Sequence, residues 1–457
     1  MSNRKNSSPH LHSLPGGLSL SWPGKHEVTT APKESVLQPV VRERYGSVSA
    51  ETGRLYWGNN LSVLDALLVE ESGTFDLIYM DPPFATGDDF SVKLSIGENG
   101  KRPKSSASWT EIQAYHDKWE GASFWSMMYA RLLRVHQLLS ETGTLFLHCD
   151  HRTDWVLRGM LEEIFGVGQV INQIVWHYTG GGRSKRRLSR KYDTIFWVAK
   201  GSSWTYNMDE IRVPYKPSSG YAKGGITSAA GKKYMPHPDG TPVDDVWDIP
   251  IVNPMSRERW DYPTQKPVRL LERIIRLASN PGDKVADFFS GSGTTIAVAE
   301  QLGRQWVGCD QGHWSIHTTR KRLLAKEQPT SFSLYESPNL VGQPSSSLQV
   351  SVEVEHDNHL LKLSLTDMDW VGADSFPSDV EELVTTPMDW VDAWSVDTAY
   401  SGNCFEADWY VARTRDNRVL PSQTDWLSYR GEGRISVRVY DILGGMTEIF
   451  LPLPAGS

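Results

Sequence analysis

The chain has 457 residues, 39% of them hydrophobic, and a formal net charge of −8. That is room for two or three domains around a large core. No stretch approaches the ~18 apolar residues of a membrane span, and the first 25 residues lack a signal-peptide core, so a cytoplasmic protein with no membrane partner is expected. The charge is uneven: residues 331–457 hold 20 acidic against 7 basic residues, a net of −13, which leaves +5 of the total −8 on residues 1–330. Local charge decides where a polyanion docks, so the overall acidity does not exclude a DNA-binding function. The three cysteines, Cys149, Cys309 and Cys404, are odd in number and lack ligand spacing. They argue against a disulfide framework and predict no metal site.

In chain order, residues 1–45 are rich in Ser, Pro, His and basic residues and read as a disordered arm. Leu55–Asn60 reads as a strand ending in polar residues, and Leu61–Glu71 as an amphipathic helix. Phe75–Met80 is a buried strand that stops at Asp81-Pro82-Pro83-Phe84. Alone, that tetrapeptide reads as a turn; in an open α/β sheet it would set a carboxylate on a rigid shelf at the ligand-binding edge. The two prolines remove backbone donors and free the carbonyls of Asp81 and Pro82 to accept from another group, such as an exocyclic amino group of a nucleobase.

Phe124–Leu139 is a helix whose apolar stripe reads as packing. Gly143–Asp150 is another buried strand, whose terminal His148 and Asp150 are candidates for a base pocket or for simple caps. Val170–Tyr178 and Tyr192–Ala199 are β-rich runs joined by a glycine-hinged loop that carries Arg183, Lys185, Arg186, Arg187, Arg190 and Lys191. Such a run is a solvated face or, beside a DNA site, a phosphate clamp. Residues 201–260 lose α/β periodicity. Gln349–Leu365 and Arg434–Leu451 alternate apolar and polar residues, which predicts a small β-sandwich-like domain over 331–457. Within it, Met368-Asp369-Trp370-Val371 is echoed by Met388-Asp389-Trp390-Val391. Two copies are too few for a solenoid.

The second motif lies at Asp283–Thr295. A strand ending at Asp287 feeds Phe289-Ser290-Gly291-Ser292-Gly293-Thr294-Thr295 and then a helix, the arrangement in which backbone amides approach a nucleotide-like ligand. Asp310 ends the next strand near the spacing at which an acid reaches ribose hydroxyls. A phosphate-binding NTPase loop would need Lys followed by Ser or Thr where Thr294-Thr295 stand. A nucleoside without phosphates, such as S-adenosylmethionine, is the better ligand.

These residues resemble the amino-group DNA methyltransferases that modify adenine N6 or cytosine N4. The likeness lies in Asp81–Phe84, in Phe289–Thr295 and in Tyr262-Pro263-Thr264-Gln265-Lys266-Pro267. Their order resembles the beta-class permutation, and the likeness spans about residues 53–326. It implies a doubly wound Rossmann-like α/β methyltransferase domain over 46–330, with target recognition in 201–260 and a smaller C-terminal β-rich domain. It implies double-stranded DNA as partner and catalysis by Asp81, Pro82, Pro83 and Phe84. For the cofactor it implies Asn59, Thr264, Gln265, Lys266, Pro267, Asp287, Phe289, Gly291 to Thr295 and Asp310. Asn60 is the alternative to Asn59, and each is also a helix-cap candidate. Cytosine-N4 members more often carry Ser where Asp81 stands, so adenine is favoured. A non-catalytic specificity subunit is the alternative of another class. Protein partners to consider are a second copy in a homodimer and a separate restriction subunit.

Overall fold

Strands buried on both faces read as continuous apolar runs, and the runs around Leu55, Ile78, Leu145 and Val307 lie together in one eleven-stranded sheet. The structure is a computed structural model and describes residues 19–28, 36–47, 49, 51–87, 89–93, 95–98, 100, 111–116, 121–180, 184–326, 330–338, 340, 346–371, 382–429 and 433–453. The sheet strands in chain order are β1 (Val40–Tyr45), β2 (Gly53–Trp57), β3 (Phe75–Met80), β4 (Leu139–Cys149), β5 (Val170–His177), β6 (Tyr192–Ala199), β7 (Val246–Asp248), β8 (Lys284–Asp287), β9 (Gln305–Asp310), β10 (Phe332–Glu336) and β11 (Phe405–Ala407). Their order across the sheet is β7-β5-β6-β4-β3-β8-β9-β2-β10-β1-β11.

The strands from β4 across to β10 run parallel, while β6 runs antiparallel to both β4 and β5. Side chains alternate between faces. Ile78 and Met80 pack with α1 (Asn60–Glu71), α2 (Gly121–Leu138) and α3 (Asp154–Phe165); Leu77 and Tyr79 pack with α4 (Val268–Ala278), α5 (Thr294–Gln301) and α6 (His313–Leu324). This is the doubly wound Rossmann-like architecture expected. From β3 the chain crosses to β4 on one side, and from β8 to β9 on the other. The carboxyl ends of β3 and β8 therefore flank the crevice where such sheets bind ligands.

Two expectations need correction. The arm is not free throughout: buried Trp22 donates its indole N–H to Ser126 Oγ at 2.9 Å, and β1 joins the sheet, with Tyr45 stacked on Phe332 at 4.9 Å. Residues 1–18 and 29–35 lie outside the described residues. A boundary at 330 would also sever β10, which pairs with β2, and β11, which pairs with β1. Isolated short strands with no alternating pattern give no signal of the sheet they will join.

Residues 348–451 are strand-rich, as expected. The alternating stretches fold as antiparallel hairpins, Leu348–Asp357 with Leu360–Trp370 and Arg434–Asp441 with Met446–Leu451, and the two sheets share a core through Leu363, Trp394 and Val437. The echoed Trp370 and Trp390 meet in it, ring centroids 5.0 Å apart. Buried ion pairs and a hydrogen bond fasten this part to the methyltransferase sheet: Glu43 of β1 pairs with Arg320 of α6 at 2.8 Å and Arg438 at 3.0 Å, and Asp392 pairs with Lys321 and bonds the His317 ring, each at 2.7 Å.

Candidate active site

Because β3 and β8 are neighbours with Tyr79 opposite Asp287, the Asp-Pro-Pro-Phe shelf and the glycine turn open into one cavity. Asp81 is the first residue beyond β3, whose last residue, Met80, pairs with Leu147 on β4. The chain turns away at once, with Ala85 in the left-handed region (φ 54°), a conformation few non-glycine residues adopt. Thr264, on the opposite wall, shares it (φ 56°), and such outliers cluster at functional sites.

The Asp81 carboxylate has two different sides. Oδ2 pairs with the ammonium of Lys266, which also sits over the Phe84 ring at 5.4 Å. Oδ1 is buried and has no hydrogen-bond partner among the described residues. An unpaired buried carboxylate oxygen is costly, on the order of 1–3 kcal/mol, and marks a place where a donor is missing. Ser290 Oγ, on the glycine-turn wall, is a second buried polar atom without a partner.

The turn itself is held by two acids. Asp287 accepts from the Phe289 N–H at 3.0 Å and the Thr295 hydroxyl at 2.6 Å; burial pushes its carboxyl up to about 7. Asp310 accepts from the amides of Gly291 and Gly312, each at 2.9 Å, and burial raises its carboxyl too. Asp310 thus gives one oxygen to the glycine turn and the other to its own loop, and it lines the cavity in which a ribose was expected.

Asn59, Thr264, Gln265, Lys266, Phe289, Gly291, Ser292, Thr294 and Thr295 line the cavity with Pro82, Pro83 and Phe84. Gly293 and Pro267 do not. Gly293 N-caps α5 with φ 70°, and Pro267 N-caps α4, so both shape the wall from behind. Gln265 uses its amide to bridge the Trp260 N–H at 2.8 Å and the Glu258 carbonyl at 2.7 Å, which fixes the Tyr262–Pro267 loop.

Sequence reasoning missed Arg131. In a helix read as packing, it donates to Asn60 Oδ1 at 2.6 Å, to Asn59 Oδ1 at 3.1 Å and to the Met127 carbonyl at 2.9 Å. Asn60 in turn donates to the Phe288 carbonyl at 2.6 Å, which ties β2's end to β8's. The available signal was a guanidinium inside an apolar stripe, rarely buried without a polar partner. Neither His148 nor Asp150 lines the cavity. Asp150 accepts from Arg152 at 2.6 Å, and His148 lies fully buried behind Asp81.

The cationic loop joins β5 to β6 and so leaves from the same sheet edge as Asp81. Lys185, Arg186, Arg187 and Arg190 are exposed and Lys191 is half-buried, while Arg183 lies outside the described residues. Residues 201–245 start from the opposite edge, after β6. Only the part from 249 returns to Asp81's edge, where Arg415 props it through the Ser256 and Pro254 carbonyls, each at 2.9 Å.

A family model described as DNA methylase, for N6 and N4 methyltransferases, matches residues 75–321, more than half of the chain. The chain belongs to the N6/N4 DNA methylase family. Type II methyltransferase M.EcaI of Enterobacter cloacae is 26% identical over 76% of this methylase and 86% of its own length. DNA adenine methyltransferase YhdJ of Escherichia coli K12 is 27% identical over 61% and 84%. The crystal structure of an M1.HpyAVI–SAM complex is 20% identical, covering 59% of this methylase and 98% of its own chain, with a TM-score of 0.39. Among the described residues of this methylase there is no His, Cys, Asp and Glu group that could hold a metal ion, and no helix is long and apolar enough to cross a membrane.

Proposed function

We propose that this methylase transfers a methyl group from S-adenosylmethionine to the exocyclic N6 of adenine in double-stranded DNA. The observation that carries the reading is the Asp81 carboxylate, anchored through one oxygen by Lys266 and left with its other buried oxygen unpartnered at a cavity shared with the glycine turn. The cavity fits a nucleoside cofactor: the turn approaches it with backbone and not with bulk, Ser290 Oγ lacks a partner, and no P-loop lysine follows the glycines. Gly291, Ser292 and Phe289 would hold that cofactor on one wall, and Asn59, set by Arg131, on the other. When bound, S-adenosylmethionine supplies an electrophilic methyl group on a sulfonium.

An aromatic amine has its lone pair delocalised into the ring, so its nitrogen must become pyramidal before it attacks. Asp81 Oδ1 and the Pro82 carbonyl accept from the two N–H bonds and favour that geometry and the positive charge that develops. The prolines make the acceptor pair rigid, and Lys266 fixes the rotation of the carboxylate. Phe84 stacks on the base once it has left the duplex, which offsets part of an unstacking cost of about a few kcal/mol. The carboxylate favours adenine over cytosine, because the resembling cytosine-N4 enzymes more often carry Ser there. The test is expression in a methylation-free host, with modified bases read by single-molecule sequencing for wild type and Asp81→Ala. N6-methyladenine at one motif, lost in the variant, is expected; N4-methylcytosine would overturn the base, and an active variant would overturn the role of Asp81.

A further inference from the structure

Behind Asp81 runs a buried polar chain that the methyl-transfer scheme above does not use. His148 is fully buried and follows Leu147, the β4 partner of Met80 at the end of β3. Its Nδ1 lies 2.9 Å from the Tyr79 hydroxyl and 3.6 Å from the unpartnered Asp81 Oδ1. Its Nε2 lies 3.3 Å from Asp193 Oδ2 on β6, and the other Asp193 oxygen accepts from the Tyr178 hydroxyl at 3.1 Å. The ring is held in place by Trp176 and Phe84, each at 5.4 Å between centroids.

Asp193 and Tyr178 do not line the catalytic cavity. They line a second, solvent-facing one, together with Asp150 and with Arg187 and Arg190 of the cationic loop. Among the described residues, the buried imidazole thus stands between Asp81 and the second cavity, which Asp193 lines. The orientation of the ring follows from its neighbours. Burial would raise the Asp193 carboxyl, but His148, the Lys266 charge and the Tyr178 hydroxyl together hold it below its usual range, so it is an anion. An anion at Nε2 requires a proton on that nitrogen, which leaves the lone pair on Nδ1, where the Tyr79 hydroxyl donates to it at 2.9 Å and turns aside for a proton arriving from Asp81 Oδ1, 3.6 Å away. A base aimed by a third group is the arrangement that general base catalysis uses.

We propose that His148, aimed by Asp193, is a positioning residue that takes from Asp81 the proton released by the methylated nitrogen and passes it to the second cavity. This rests on the reading of Asp81 as the acceptor of the target amino group. As the nitrogen lone pair forms the N–C bond, the methyl carbon's bond to sulfur breaks and leaves its electron pair on sulfur. As that bond forms the nitrogen becomes cationic and passes one proton to Asp81 Oδ1 in the same transition state. That proton moves to His148 Nδ1 and gives an imidazolium paired with the Asp193 carboxylate. Release of the Nε2 proton through Asp193 to water in the second cavity leaves the ring neutral with its remaining proton on Nδ1; exchange of that proton back to Nε2 restores the starting tautomer, with Asp81 ionised, before the next turnover. The charged or titratable groups around the ring are Asp81 and Tyr79 on the β3 side and Asp193 on β6, with Tyr178 and Asp150 beyond Asp193 and Lys266 beyond Asp81.

The experiment is single-turnover methyl transfer on a methylatable duplex in H2O and D2O, for wild type, His148→Gln, Asp193→Asn, the double variant and Asp81→Ala, with cofactor affinity by calorimetry on the same proteins. His148→Gln is expected to slow transfer by about 100-fold, the lower end of general acid–base contributions, with cofactor and DNA affinity unchanged. Asp193→Asn should slow it comparably, and the double variant should be little slower than either single one, because the two act as a unit. A purely structural histidine would instead change affinity or melting temperature and leave the solvent isotope effect of the wild type intact. A wild-type rate in His148→Gln, with Asp81→Ala inactive, would sink the relay and leave Asp81 standing; an active Asp81→Ala would sink the reading beneath it. If His148→Gln does not fold, Asp193→Asn decides, since its side chain borders the second cavity, and a wild-type rate there overturns the proposal.

Discussion

A methyl group on Gly293 tests how the glycine turn is built. Its φ of 70° is one that L side chains avoid, at a cost of roughly 1–2 kcal/mol. A Cβ there would stand 2.6 Å from Thr319 Oγ1, 2.8 Å from its Cγ2 and 3.0 Å from its Cβ, all on the packed helix α6, and relief of such overpacking costs about 1–3 kcal/mol. Gly293→Ala should therefore lose about 2–5 kcal/mol, a fall in Tm of roughly 4–20 °C for a cooperative unit of about 150–250 residues. Gly291→Ala has a similar backbone penalty (φ 49°), but its Cβ meets only the Tyr262 ring, at 3.3 Å, and projects at the cavity wall. Its Tm should fall less and its cofactor affinity more. Thr319→Ala placed in the Gly293→Ala background removes the two closest atoms and should recover the steric part, measured against Thr319→Ala alone. Calorimetry and thermal unfolding on all four variants read this out. Equal Tm losses at the two glycines, or no recovery with Thr319→Ala, would refute the assignment of one to packing and the other to the cavity.

Asp287, raised by burial to about 7, binds a proton in the folded protein at pH values where the unfolded chain has released it, so its contribution to stability falls as pH rises from about 4 to 7. Asp287→Asn should flatten the slope of Tm against pH across that window, and an unchanged slope would show that the group does not titrate there. Replacing Lys185, Arg186 and Arg187 with Ala should lower the log–log salt dependence of DNA affinity by about 0.9 per lost duplex contact. Sequence preference should stay the same in fluorescence anisotropy, and parallel salt lines would make the loop a solvated face.

The sequence by itself determined the ends of the central strands and the chemistry placed on them. Apolar runs closed by Asp81-Pro82-Pro83 and by Phe289–Thr295 are local signals, because prolines and left-handed glycines set the backbone wherever they stand, and they predicted a shelf and a turn that the structure does contain. That the two face one cavity follows only from β3 lying beside β8, a pairing of residues some two hundred positions apart that no local pattern encodes. The same holds for Lys266, expected against a cofactor and found against Asp81, and for Arg131, hidden in a helical stripe until β2 brings Asn59 and Asn60 beneath it. Asp310 was read by its spacing; its bond from the Gly312 amide is local, while the one from the Gly291 amide exists because β8 lies beside β9. His148 was read as a base-pocket or cap candidate and Asp193 was not singled out; their relation is a matter of register, since β6 runs antiparallel to β4 and sets β6's first residues at β4's carboxyl end, where Asp81 stands. Sequence carries the turns and the burial of each strand because both depend on neighbours in the chain. Tertiary structure decides ion pairs and proton routes because these depend on which strands lie side by side.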